Sequence, residues 1–312
     1  MPVVVESEVS VRLAFAALAA CLAAAPAFAA VPGFGARGES VEPWAPARIA
    51  SARFESHPAF DPLTGDLYFV RSAADFTGWR ILTSHCSADG WSEPVEPAFA
   101  GDGVEADPWF TPDGRTLYFI SSRTPDGAPP LPAGSKRKDL DLWRVERDAH
   151  GQWGRPQRLP EPVNSPGAEW FPRLAPDGWL YFGSNRPGGL GKTDLWRARQ
   201  GRDGAWVAQN LGPALNTPDD EYEPLVSTDG KRMVLMADDG LYQSVRGAHG
   251  WSQRVKLGPA IDANGSEIGA LLSPDGHSML FARDLKGERS GELFLWRDGK
   301  GDPGWPPRCP RR

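Results

Sequence analysis

Five glutamates recur at related points of the chain, Glu55, Glu105, Glu169, Glu221 and Glu267, each opening a short apolar run. Carboxylates repeated at the head of an innermost strand would ring one mouth of a channel, where they attract a cation or a basic peptide end. Departures from the repeat add to this chemistry. Asp107 and Glu223 put further negative charge beside Glu105 and Glu221, and His57, Trp170 and Tyr222 bring aromatic or polar groups to matching places. A mouth that mixes carboxylates with rings suits a peptide or a sugar. The same glutamates also have a structural reading. Each could accept hydrogen bonds from backbone amides or from an arginine of the S-x-R text, at Arg123, Arg186 or Arg283, and so pin one repeat to the next.

Other chemistry finds less support. The histidines His57, His85, His150, His249 and His277 fall at different places in the repeat, so no three converge as zinc ligands. Residues 187–193, PGGLGKT, resemble a phosphate-binding loop, but its first glycine would have to be residue 186, which is Arg. No G-x-S-x-G nucleophile turn occurs. Asp219, Asp220 and Glu221, with Asp238 and Asp239, could hold Ca2+, although their spacing matches no calcium loop. Two facing carboxylates across the channel could serve a glycosidase or lyase, but too many pairs qualify to choose one. No catalytic residue is therefore assigned, and no cofactor is expected apart from that calcium option.

The elements that must position these residues are written five times, at spacings of 50, 64, 52 and 46 residues between successive glutamates. Each unit runs E-x-x-P, a short apolar strand, a turn, a second strand, a third strand and then G-x-W. The turn is Pro112-Asp113-Gly114, Pro176-Asp177-Gly178, Thr228-Asp229-Gly230 or Pro274-Asp275-Gly276, in which Pro presets φ, Asp caps the turn and Gly takes the left-handed position. Consecutive apolar residues, as in Leu117-Tyr118-Phe119, fit sheets covered on both faces. This predicts an all-β protein, a five-bladed β-propeller of four-stranded antiparallel blades. The last blade is closed by an N-terminal strand in residues 43–49. A competing fourth strand at Gly304-Trp305-Pro306 would instead leave residues 31–54 to a sixth blade. An insertion from Thr124 to Lys138 is expected to border the acidic mouth as a basic flap, or to be a solvated hairpin extension.

The text E-x-x-P … P-D-G-x-x-L-Y-F … D-L-W is clearest at 105–119 with 140–143 and at 169–196. It resembles the PD40, or WD40-like, propeller repeat of TolB-like exported bacterial proteins. The resemblance spans about residues 44–305 and implies a propeller that binds envelope partners or peptides, or supports a separate catalytic domain. Too few residues precede Glu55 for the additional α/β domain of TolB itself.

Composition and the N-terminus complete the expectation. The chain has 312 residues and a formal net charge of -6, which argues against a nucleic-acid partner, since a phosphate-binding surface shows a basic excess. Residues 1–29 read as a signal peptide ending at Ala27-Phe28-Ala29, with translation starting at Val11 if the two early glutamates are discounted. Residues 30–312 then form one propeller domain, periplasmic or secreted. Leu18-Ala19-Ala20-Cys21 offers a lipobox alternative in which Cys21 is lipidated, the one route to a membrane. Export would let Cys86 and Cys309 bridge, since closure brings the first blade and the C-terminus together. The leading expectation is an exported, non-enzymatic propeller that binds a protein or peptide through its Glu-lined mouth. The alternatives are a carbohydrate-binding or carbohydrate-active propeller, favoured by two carboxylates and an exposed Trp within sugar reach, and a structural module of an envelope assembly.

Overall fold

A computed structural model describes residue 34 and residues 38–124, 140–285 and 291–310. The expected signal segment with Val11 and Cys21, and nearly all of the basic insertion, lie outside the described residues. The chain forms a five-bladed propeller. Its innermost strands are Phe54–Phe60, Glu105–Phe110, Glu169–Leu174, Glu221–Val226 and Glu267–Leu272. Each pairs antiparallel with a second strand, and that with a third, as in Leu180–Ser184 and Asp194–Gln200 of the third blade. The D-G turns fold as their chemistry requires, with Gly114, Gly178, Gly230 and Gly276 all at φ between 65° and 77°.

Ring closure follows the expected scheme with a shift in place. The outer strand of the fifth blade is Ser40–Pro43, antiparallel to Gly291–Arg297, rather than residues 43–49. The reason is local. Pro46 turns the chain, its carbonyl accepting from the Ile49 and Ala50 amides, so the ladder stops once Trp44 has donated to the Leu293 carbonyl. Trp305 does not compete as a strand; it is buried against Leu280 and Leu295. Cys86 and Cys309 are joined by a disulfide, tying the outer hairpin of the first blade to the C-terminal tail.

The core lies between blades. Phe69, Phe119, Phe182, Leu235 and Phe281, one from each second strand, are fully buried. The five repeated glutamates sit in the same seams and are at most 2 % exposed. Arg71, Arg123, Arg186, Arg254 and Arg283 contact Glu55, Glu105, Glu169, Glu221 and Glu267 in turn. The same arginines reach the carbonyls of Ile49, Phe99, Val163, Leu215 and Ile261 in the segment leading into each blade. Backbone amides four residues upstream, at Ser51, Gly101, Ser165, Thr217 and Ala263, satisfy further carboxylate lone pairs. A buried carboxylate is tolerated only when paired and hydrogen-bonded in this way. The glutamate ring is thus a set of inter-blade pins.

Candidate functional site

The position two residues after each pinning glutamate carries the unusual geometry. His57, Asp107, Phe171, Glu223 and Gly269 have φ of 49°, 59°, 55°, 55° and 68°. The left-handed region is natural for glycine and costs other residues about 1–3 kcal/mol each. Each inner strand slips register at this point, between Ser56 and Ala59 in the first blade and at the equivalent residues in the others. A proline follows in four of the five, Pro58, Pro108, Pro172 and Pro224, where the interrupted ladder needs no donor. The bulge swings these side chains out of the sheet. His57, Asp107, Phe171 and Glu223 meet at one end of a cavity of about 470 Å³. The residues one position earlier, Ser56, Ala106, Trp170, Tyr222 and Ile268, line its walls, so all five blades contribute.

His57 is the hub. Its Nε2 lies 3.0 Å from Glu223 Oε1 and 3.7 Å from Asp107 Oδ1, and its Nδ1 lies 2.8 Å from Ser56 Oγ. Phe171 stacks on the imidazole with ring centroids 5.2 Å apart. Both carboxylates also reach forward one blade. Asp107 Oδ2 accepts from the Phe171 amide at 3.1 Å, and Glu223 Oε2 from the Gly269 amide at 2.6 Å. Glu223 therefore has both oxygens engaged, while Asp107 Oδ1 has only the distant imidazole. Deeper in the ring, Arg173 lies over the Trp109 ring at 5.0 Å and its Nη1 reaches the Pro172 and Asp107 carbonyls at 3.2 and 3.4 Å.

These contacts set the proton affinities. Burial pushes the Asp107 carboxyl up to about 6, although His57 and Arg173 pull it down; Glu223 adds to the rise. Burial alone would lower His57, yet Glu223 and Asp107 together outweigh it and its value is raised. Burial lowers the Arg173 guanidinium and lifts the Tyr222 phenol to about 12. The cluster thus holds a carboxyl whose proton affinity lies near the range of acid–base work, beside an imidazole whose own affinity is raised.

Of the residues singled out in the sequence, His57, Asp107, Trp170, Tyr222 and Glu223 line this cavity. Glu55, Glu105, Glu169, Glu221 and Glu267 do not; they are the buried pins. The calcium option is not assembled. Asp219 pairs with Lys192, Asp239 with Lys256, and Glu221 with Arg254. Among the described residues no group of three or more His, Cys, Asp or Glu side chains is arranged to hold a metal ion. Ser56, Phe171 and Arg173 were not anticipated. Phe171 stands in the column before the repeated proline, which reads His, Asp, Phe, Glu and then Gly and varies between the repeated glutamate and proline columns; Ser56 and Arg173 stand beside it in columns that vary as much.

No protein-family model and no curated protein matches the chain. Among solved structures it is similar to a gluconolactonase from Xanthomonas campestris, at 14% identity over 85% of this chain and 90% of that one, with a TM-score of 0.48. A thermostable family-43 glycoside hydrolase matches at 14% identity, over 80% of this chain and 90% of that one, with a TM-score of 0.47. A puromycin-hydrolyzing peptidase from Mycobacterium tuberculosis matches at 17% identity and a TM-score of 0.40; 75% of this chain covers only 44% of its length. Such distant likenesses identify neither a family nor a substrate. One expectation is corrected by the chain's own geometry, that of a protein-binding mouth lined by the repeated glutamates. The geometry gives the physical reason: the glutamates meant to form an acidic docking face are neutralised in the seams, and what opens on the axis is a small cavity.

Proposed function

We propose that the chain is a carbohydrate-active propeller that binds a monosaccharide-sized group in the axial cavity and hydrolyses a bond to it. The observation that carries this reading is the meeting of His57, Asp107 and Glu223 at one end of a cavity whose walls include Trp79 and Trp170. Aromatic faces take the apolar face of a sugar ring, and a few convergent polar groups fix its hydroxyls. Asp107 is the proton-transfer carboxyl, since its Oδ1 is the less engaged and its proton affinity lies near the working range. Glu223, held at both oxygens, orients His57 instead of acting on substrate. The repeat text supports kinship with PD40-type exported propellers, the Cys86–Cys309 bridge supports an oxidising compartment, and Ala27-Phe28-Ala29 supports a mature chain from about residue 30.

The test is a screen of chromogenic sugar derivatives, both aryl glycosides and sugar esters, with the wild-type chain and Asp107→Asn. Turnover of at least one sugar derivative is expected, falling about 10²–10⁴-fold in the variant, the usual contribution of a positioned acid–base group. No turnover and no binding of any sugar derivative, with the fold intact, overturns the reading.

A further inference from the structure

Ser56, His57 and Glu223 form a continuous hydroxyl–imidazole–carboxylate chain, with Oγ to Nδ1 at 2.8 Å and Nε2 to Oε1 at 3.0 Å. We infer that Ser56 is a nucleophile and that the bond cleaved is an ester, an acylated sugar or a sugar lactone. This rests on the carbohydrate reading above and narrows it; for an ester the proton moves through His57, and Asp107, 3.7 Å from its Nε2, acts by its charge on the imidazole instead of transferring the proton itself. An imidazole held between a hydroxyl and a fixed carboxylate is the arrangement that activates a serine, recognised by geometry and not by sequence position. The ring nitrogens are used in the order opposite to the familiar serine-hydrolase arrangement, with Nδ1 facing the hydroxyl. The bulge is what permits this, because it brings the imidazole of His57 back onto its own neighbour.

Three further observations fit. Ser56 lines the cavity at 2 % exposure, so an ester must seat closely against this wall to meet its Oγ. The carboxylate end is braced, since the Gly269 amide donates to the second Glu223 oxygen at 2.6 Å and Phe171 stacks on the imidazole. The last concerns the amide after the nucleophile. In the third and fifth blades the left-handed residue donates its N–H to the carboxylate of the preceding blade, Phe171 to Asp107 and Gly269 to Glu223. The blade before His57 ends in Gly269, which has no side chain to accept; a Cβ there would lie 2.6 Å from the His57 nitrogen. No carboxylate of the preceding blade therefore fills the space beside the His57 N–H, the amide that follows the proposed nucleophile and whose counterpart elsewhere serves a developing oxyanion.

The step balances without a metal or redox partner. Ser56 Oγ attacks the ester carbonyl while its proton passes to His57 Nδ1, and the imidazolium is stabilised by Glu223 at Nε2. The carbonyl carbon–oxygen bond breaks and the departing alkoxide takes the proton from Nδ1, leaving acyl-Ser56. Water then attacks the acyl group, giving its proton to Nδ1, and that proton returns to Ser56 Oγ as the carboxylic acid leaves.

The experiment is intact-mass detection of covalent labelling by a fluorophosphonate, run beside burst kinetics with p-nitrophenyl acetate and hydrolysis of peracetylated glucose. Wild type should gain one adduct, mapped to Ser56, and hydrolyse the glucose ester. Ser56→Ala should lose the adduct and roughly a thousandfold of turnover, while still binding glucose in ligand-observed NMR. Labelling should require neutral His57 and so rise with pH through its raised value, which Glu223, Asp107 and Arg173 set; Glu223→Gln should move that profile, a readout that a merely structural role leaves unchanged. Ester turnover unaffected by Ser56→Ala, or an adduct on another residue, overturns the nucleophile assignment and leaves the sugar site standing. Failure of wild type to bind or turn over any sugar derivative instead overturns the carbohydrate reading beneath it.

Discussion

Gly269 is the point at which the site's geometry can be tested without touching its chemistry. Alanine there meets two penalties. The φ of 68° disfavours any Cβ by about 1–2 kcal/mol. The added carbon would also lie 2.6 Å from the His57 nitrogen, 3.1 Å from its Cα and 3.3 Å from its Cγ. These are backbone and ring-base atoms of a bulged inner strand, which cannot swing aside, and overpacking of that kind costs about 1–3 kcal/mol more. Gly269→Ala should therefore destabilise the fold by about 2–5 kcal/mol, or roughly 4–10 °C in Tm for a domain of this size. Gly276→Ala is the matched control. Its φ is 73° but nothing lies within 4 Å of its added Cβ, so only the first penalty applies, about 1–2 kcal/mol. Urea and thermal melts of both variants, with the His57 imidazole followed by NMR, read the difference. Equal destabilisation of the two, with an unmoved His57 resonance, would refute the close packing of His57 on the fifth blade.

Asp107→Asn should stabilise the fold at pH 8 while it lowers turnover by about 10²–10⁴-fold. The folded value of about 6 lies above the ordinary 3.8, so the Asp107 contribution is fully present below about pH 4 and is lost as pH rises through 6, about 3 kcal/mol in all. Urea titrations of both proteins from pH 4 to 8 check this, and parallel curves would contradict it. Arg123→Met should cost about 3–5 kcal/mol by leaving Glu105 buried and unpaired, whereas Glu105→Gln with Arg123→Met should recover part of that loss; denaturant melts decide. Reducing Cys86–Cys309 frees a closed segment of 223 residues and should lower stability by about 5 kcal/mol on the loop-entropy model, read as a drop in the urea midpoint on adding reductant. An unchanged midpoint would mean the ring closes without the bridge.

The blades were legible because their signals are local. A D-G turn, an apolar triplet such as Leu117-Tyr118-Phe119 and a glutamate fifty residues apart each carry their meaning within a few residues. Closure was legible in outline, and it shifted by a few residues because Pro46 makes a turn where the sequence text resembled a strand. The site was harder to read for a physical reason. Glu169 and Asp107 are both carboxylates near the head of an inner strand, yet one is buried on an arginine and the other faces the axis. What separates them is a left-handed residue, which no side-chain type announces. Ser56 was overlooked for the same cause, since its importance comes from the bulge that folds His57 back onto it. The repeated proline marked the bulge, and variation in the column before it marked the axis.

Whether the axial cavity takes a sugar is read most directly by saturation-transfer NMR on the full chain with a panel of monosaccharides and short peptides, repeated with Trp170→Ala. Saturation transfer to at least one sugar is expected, lost in the variant because Trp170 lines the cavity, with peptides silent. Peptides that bind while every sugar stays silent, or sugar contacts that survive loss of Trp170, would contradict it.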